Sequence, residues 1–340
     1  MGENITVEAR VRTDPVATNP KVRGRNFVSR KFTFLAGTQY GPVRVITTKS
    51  SAAGLLPGQK IAITGQVLKS SEKRVAALVI ATAPIQRLAP PSRWARSLAS
   101  IRNGLRAASG GGDAGALIPG MVIGDTGKQS ADFKNDMRRA GLTHLVAVSG
   151  ANFAIVSAFV LWCMQFIFRK IPARLIATTL ALACFIALVR PSPSVLRASA
   201  MAAVALVAMS TYQRGDSLPA LGFAIAVVVV IDPWQSRDPG FALSVLATAG
   251  LLLVAPRING RLTRFLPEKV AGAIAPPIAA MALCLPIIVA LSGYISPIST
   301  VANIAAAPFV APITVVGFIA ALISPLSPWV AEHLLLLVRP

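Results

Sequence analysis

The chain is short of the residues from which catalytic metal sites are made. Its 340 residues include two histidines, His144 and His333, and three cysteines, Cys163, Cys184 and Cys284. Each cysteine lies in an apolar run and no CxxC spacing occurs, so neither a disulfide framework nor a zinc site is indicated, and the thiols read as small buried hydrophobes. Zinc-dependent hydrolysis would need clustered histidines and acids and is excluded within this chain. A phosphate loop is also missing. "GDTGK" at 124–128 has Val122 where the first glycine belongs and Gln129 where a serine or threonine belongs, so no ATPase is expected. Around Ser149 there is no G-x-S-x-G, because Ala147 holds the first glycine position, which leaves a Ser149/His144 hydrolase as a minor alternative. The N-terminal "MGENITVEARVR" has no apolar segment of a secretory signal.

Acidic side chains are scarce too, 13 against 34 lysines and arginines, for a net charge of +21. What replaces them is apolar. Hydrophobic residues make up 54% of the chain, charged residues 14%, and the mean hydropathy is +0.63, values that mark a membrane protein. The excess of positive charge is concentrated at one end: residues 1–109 hold 18 basic and four acidic residues, which points to a polyanionic partner or an anionic surface.

Residues 1–90 form the first expected domain. Between residues 5 and 84, alternating stretches such as "ITVEARV", "RKFTFLAG", "GPVRVITTKS", "QKIAITGQVLKS" and "KRVAALVIATAP" predict five short strands broken by Gly, Pro and Ser, which suits a small all-β barrel of OB type. Barrels of this type bind single-stranded nucleic acid along a basic groove. Arg10, Arg12, Arg23, Arg25, Arg30, Lys31 and Arg44 are the candidates to follow a phosphate backbone. Phe32 and Phe34 share one strand face and are either a stacking platform for bases or barrel core.

Residues 91–113 read as a basic amphipathic helix and a Gly-rich linker. Trp94, Leu98, Ile101 and Leu105 recur at helical spacing, Arg93, Arg96, Arg102 and Arg106 lie largely elsewhere on the wheel, and Ser92 is the expected N-cap. Such a helix suits a membrane interface, or packing on the barrel. From 114 to 340 the composition is that of an α-helical polytopic membrane domain. Apolar runs at about 144–168, 173–189, 195–212, 218–232, 241–255, 270–292, 299–323 and 329–338 predict seven or eight membrane helices, some re-entrant because they fall short of the roughly 20 residues of a span. "ALIPGMVIGD" (116–125) is too short to cross and reads as a half-buried helix.

With the helix ending near Phe168 running inward, the inner loops total +6 and the outer ones +1, which sets the barrel outside the cell. Nothing in the chain would export such a domain, so membrane helices preceding residue 1 are expected on a longer form, and the end in "LLLLVRP" suggests truncation.

Polar residues inside the apolar runs mark the candidate channel: His144, Ser149 and Asn152 in "GLTHLVAVSGANFAIV", Arg197 in "PSPSVLRASAMAAV", Ser244 and Thr248 in "DPWQSRDPGFALSVLATAGLLL", and Asn303 in "GYISPISTVANIAAAPFVAP", with Gly150 and Asp238 as further residues of these motifs. Arg197 either faces a pore or snorkels to an interface, and the serines and threonine either line a path or hold helices together. His144 and Asn152 lie about 80° apart on a regular helix, and share a side only if the helix is interrupted near Ser149–Gly150.

These four segments, in this order and spacing, resemble the competence domain of the ComEC family of DNA-uptake channel proteins, and "LLPGQKIAITGQV" is similar to the OB-like loop that precedes it. The resemblance implies an inner-membrane, multi-pass channel passing single-stranded DNA into the cytoplasm, not an enzyme and without cofactor or metal. It also implies a DNA-receptor protein outside and a helicase-like ATPase inside, with membrane lipids around it and homo-oligomers as one arrangement. Asn152 stands where many relatives carry His, and the family's C-terminal metallo-β-lactamase-like domain has no counterpart here, so nuclease activity is not carried over. A transporter of a small anionic or lipid-linked substrate is the alternative.

Overall fold

The computed structural model describes residues 4–339 apart from 19–20, 24–25, 29, 71, 73, 147, 191–194, 197, 201–216 and 293–297. It divides into two compact units, Met1–Ile101 and Arg102–Pro340.

In the first unit, β1 (Asn4–Val11), β5 (Lys31–Thr38), β6 (Gly41–Thr47), β7 (Lys60–Lys69) and β8 (Ala77–Ala81) close on themselves. The path runs β1-β5-β6-β8-β7 and returns through β7–β1; β6 and β8 are parallel, and every other pair is antiparallel. This is a small, OB-like barrel with all edges of the closed sheet satisfied. Short strands β2 (Val16–Thr18), β3 (Lys21–Arg23), β4 (Asn26–Val28) and β9 (Gln86–Arg87) decorate it. Period-2 alternation sends Val11, Phe34, Ala36, Val45, Ile61 and Ile63 inward, where Phe34, Ile61 and Ile63 are at most 1% exposed, each worth about 2 kcal/mol of apolar burial. Gly65 lets β7 close against β8: a Cβ there would stand 2.2 Å from the Ile80 carbonyl oxygen.

Helix α1 (Arg93–Ala108) follows, with Ser92 Oγ accepting the Ala95 amide as its N-cap. The division between units falls inside this helix, after Ile101. Arg102 and Leu105 are buried at 6% and 0% exposure, so the second half of α1 packs into the second unit.

The second unit is helical. Among the described residues five helices are long and apolar enough to cross a membrane: α4 (Gly150–Ile167), α5 (Ile171–Val189), the continuous Pro239–Leu262, α9 (Glu268–Ser292) and α10 (Ile298–Ile323). Two shorter apolar helices, α2 (Gly112–Ile123) and α6 (Ser217–Ile231), and the polar α3 (Ala131–Arg139) and terminal α11 (Pro328–Leu336) complete it. Of the eight apolar runs, five coincide with these long helices, 218–232 with the short α6 and 329–338 with α11, and most of 195–212 lies outside the described residues. Pro239–Leu262 combines α7 (Pro239–Ala249), a π-helical turn at Gly250–Val254 and α8 (Ala255–Leu262). Pro256 has no N–H to offer Leu252, which accounts for the wide turn just before it.

Helix α2 is the buried centre and not half-buried as its length suggests. Gly115, Ala116, Ile118, Pro119, Gly120, Met121, Val122 and Ile123 are all enclosed. Close packing explains why small residues are needed: a Cβ on Gly120 would lie 2.4 Å from the Val146 carbonyl oxygen, and one on Gly317 of α10 would lie 2.4 Å from Val122.

Loop alternation is corrected by the same packing. Arg102 binds the C-terminal end of α5 at Leu188, and Gly104, two residues along α1, lies against Ser324 just past α10. Phe185 and Phe318, near the ends of α5 and α10, meet edge to face at 5.2 Å. The C-terminal ends of α5 and α10 therefore share one end of the unit, whereas strict alternation from the loop charges puts them on opposite sides.

Candidate functional site

On the barrel, odd-numbered residues of β5 face outward, and Phe32 and Phe34 share the inward parity. Phe34 lies in the core at 1% exposure and Phe32 packs partly buried against it, so Phe34 is core and Phe32 lies at its margin. The basic side chains are where a polyanion could reach them. Arg10, Arg12, Arg30 and Lys31 are exposed. Arg10 stands in register with Gly37 on one side and Lys60 on the other, and Arg12 lies over Gly37, where a Cβ would come within 2.7 Å of its Nε. Arg44, between Leu35 and Leu78 in register, is engaged by Glu72 at 2.6 Å. A pair this exposed is worth at most about 1 kcal/mol, so phosphate can compete for it. Arg25 lies outside the described residues.

In the helical unit, polar groups gather at the buried C-terminal end of α2. A helix end leaves its last four carbonyls without intrahelical partners, and here most are answered individually. Gly124, in a left-handed conformation with φ 69°, returns its amide to Gly120 O at 3.1 Å. Asn152 Nδ2 donates to Met121 O at 3.1 Å. Arg102 Nη1 donates to Ile123 O at 2.7 Å and to Leu188 O of α5 at 2.8 Å, one guanidinium capping two helices whose dipoles both present negative ends.

Gln129 Nε2 bonds Val146 O at 2.7 Å, tying the following turn to the same place. Asp125, 7% exposed, accepts both Arg106 Nε and Arg106 Nη2, lies 4.0 Å from Arg102 and receives the Gly127 amide at 3.0 Å. Burial acts to raise its pKa, but Arg106, the Gly127 amide and Arg102 outweigh it and hold the carboxyl below its ordinary value. Lys128 Nζ reaches the Gly110 carbonyl at 3.1 Å, so "GDTGKQ", with a phosphate-loop look in sequence, is a helix cap, an ion pair and two tethers.

The first motif is interrupted where a shared face for His144 and Asn152 requires it. His144 stands on a 3-10 turn, Thr143–Leu145, and α4 starts at Gly150 with Ser149 Oγ accepting the Asn152 amide at 3.2 Å. Asn152 itself is fully enclosed at 0% exposure, holding α2 and not facing a lumen. Gly150 is not demanded by close approach, since a Cβ there would make an ordinary 3.8 Å contact with Ala198.

Three of the four motifs converge: Gly150 meets Ala198, and Gly141 lies against Ser299, where a Cβ would stand 2.1 Å from the hydroxyl. Asn303 turns back on its own helix, to Ser299 O at 2.8 Å. Asp238 is the N-cap of α7, accepting the Gly240 amide at 2.7 Å, and the Ser244 carbonyl accepts Thr248 Oγ1 at 2.9 Å. That motif packs on α9, through Leu243 O with Cys284 Sγ and Gly250 with Ala279. Arg197 lies outside the described residues.

Sequence reading missed Arg102, Arg106, Asp125 and Gln129 as members of this cluster. The signal available was the i, i+4 spacing of Arg102 and Arg106 on one face of α1, ahead of an acid that follows a helix-ending glycine.

A model of the Competence protein family matches residues 121–340. ComE operon protein 3 of Bacillus subtilis (strain 168) is 26% identical over 141 residues, which is 42% of this chain and 18% of that protein; the matched region is thus less than a fifth of the relative's length. No solved structure matches.

Proposed function

Since the chain belongs to the Competence protein family, we propose that it acts in DNA uptake during natural competence, as the inner-membrane channel that admits one strand to the cytoplasm. The observation that carries this reading is the family match across residues 121–340, where the described residues include five helices fit to cross a membrane. The OB-like barrel with Arg10, Arg12, Arg30 and Lys31 exposed supports it, because a cationic strand surface is what a sugar-phosphate backbone requires. In this reading the chain is a conduit and not an enzyme, and Ser149 serves as a helix cap and not as a nucleophile.

Energetics assigns the drive elsewhere. Each nucleotide carries one negative charge, and moving it against an inside-negative potential costs about 2.3 kcal/mol per 100 mV. We therefore expect a DNA receptor to deliver the strand and a cytoplasmic helicase-like ATPase to pull it in.

The test is single-stranded DNA binding by the purified chain as salt is varied. The logarithm of affinity should fall linearly with the logarithm of salt, and Arg10→Gln/Arg12→Gln/Lys31→Gln should lower the slope by about 2, at about 0.7 per lost phosphate contact. No detectable binding at low salt would sink the barrel's part in the proposal. Uptake of long strands by vesicles holding this protein alone, against an inside-negative potential, would sink the motor in trans.

A further inference from the structure

We propose that the C-terminal end of the Pro239–Leu262 span is an anchoring site for anionic phospholipid headgroups, built on Arg257, Arg261 and Arg264. Arg257 and Arg261 lie on α8 and Arg264 in the turn after it, spaced i, i+4 and i+7, so they fall along one side of the helix. All three are exposed. No acidic residue occurs between Asp238 and Glu268 to neutralise them. On the adjoining side Ile258 and Leu262 are half-buried, and Phe265 projects from the final turn at 85% exposure.

Length fixes the depth of this stripe. At about 1.5 Å per residue, Arg257, Arg261 and Arg264 lie about 27, 33 and 37 Å beyond Pro239, against a hydrocarbon thickness of about 30 Å and a bilayer of about 40–45 Å with its headgroups. A span that starts at Pro239 therefore brings Arg257 to the hydrocarbon edge and the other two into the headgroup layer. Arg257 Nη1 donates to the Leu253 carbonyl one turn back, and Arg261 and Arg264 carry the headgroup contact. The opposite end is acidic, with Asp232 and Asp238 each spent on capping.

Phosphate oxygens match guanidinium forks bidentately, and Phe265 supplies the apolar foot beside them. Helix α1 carries the same composition but buries Arg102 and Leu105, whereas α8 turns its arginines outward. A DNA strand could use the charges and stack a base on the phenylalanine; the depth of the stripe, in the headgroup layer, favours lipid.

The experiment is lipid retention by the full chain in detergent, read by native mass spectrometry with phosphatidylglycerol and phosphatidylcholine in equal amounts. The wild type should retain phosphatidylglycerol preferentially. Arg257→Gln/Arg261→Gln/Arg264→Gln should reduce that preference on the order of 100-fold at low ionic strength, and Arg261→Gln alone about fivefold. The barrel variant Arg10→Gln/Arg12→Gln/Lys31→Gln should keep it, and a graded loss in the single variant separates lost contacts from misfolding. Equal retention of both lipids by the wild type, or an unchanged preference in the triple variant, overturns the proposal. So does displacement of phosphatidylglycerol by an equal concentration of inorganic phosphate. Loss of single-stranded DNA binding in the triple variant with its lipid preference intact would reassign the stripe to nucleic acid.

Discussion

Asp125, Arg102 and Asn152 each answer a charge or a carbonyl that burial would otherwise leave exposed to a low dielectric. Asp125→Asn removes the countercharge of Arg106 and of the buried Arg102, and is expected to cost about 3 kcal/mol, measurable as a lower unfolding midpoint in detergent. Because the folded carboxyl titrates below its free value of 3.8, its stabilisation is complete above that pH and disappears as pH falls through the lower folded value. The wild type should thus lose stability with acid along a steeper course than Asp125→Asn, and parallel courses would refute the pairing. At Asn152 the required property is an N–H donor aimed at Met121 O. Asn152→His, able to donate from a ring nitrogen, should retain most stability, whereas Asn152→Leu leaves the carbonyl unmet at a cost of about 1–3 kcal/mol. These roles were illegible in sequence, where Asn152 stood out only as a polar residue in an apolar run and Asp125 as part of a failed phosphate loop.

Elements are set by small residues at contacts between them. Gly65→Ala would press a Cβ onto the Ile80 carbonyl oxygen at 2.2 Å and the Ala81 Cα at 2.8 Å, both backbone, so β7 and β8 must separate. The expected loss is about 1–3 kcal/mol, seen as a lower melting midpoint of the barrel's β signal in circular dichroism. Gly272→Ala, with nothing within 4 Å of the new methyl, is the control and should be near neutral. Period-2 alternation made the strands and their inward residues readable. It could not separate a stacking face from a core face, because both place phenylalanines on one side of a strand. Closure of the sheet decided in favour of core for Phe34. Likewise α2 was visible as an apolar helix too short to span, but its place at the centre comes from Gly317 of α10 meeting Val122 and from Gly120 meeting Val146.

The two ends of the helical unit can be told apart by labelling. In a cysteine-free background, Lys128→Cys and Leu326→Cys should react with a membrane-impermeant maleimide from the same side, and Lys170→Cys from the other, since α5 and α10 end together while α4 and α5 are joined at the opposite end. Simple alternation of the loops pairs Lys170 with Leu326 instead, so labelling of those two from one side would refute the packing. Loop charge misjudged this because it assumes that every apolar run crosses. In this fold α6, between α5 and α10, is short, and a single run that fails to cross inverts every loop after it.

Composition, hydropathy and motif order by themselves determined a membrane protein with a basic β-rich domain ahead of a helical one, and the family to which it belongs. Those are properties of local pattern, since strand alternation and apolar length act within a few residues of themselves. Only the tertiary structure decided that Arg102 and Asn152 saturate a buried helix end, that Asp125 neutralises two arginines, that Phe34 is core, and that α5 and α10 end together. Each of these depends on groups tens to hundreds of residues apart being brought within about 3 to 5 Å, a distance at which desolvated hydrogen bonds, charges and ring contacts act and which no spacing along the chain encodes.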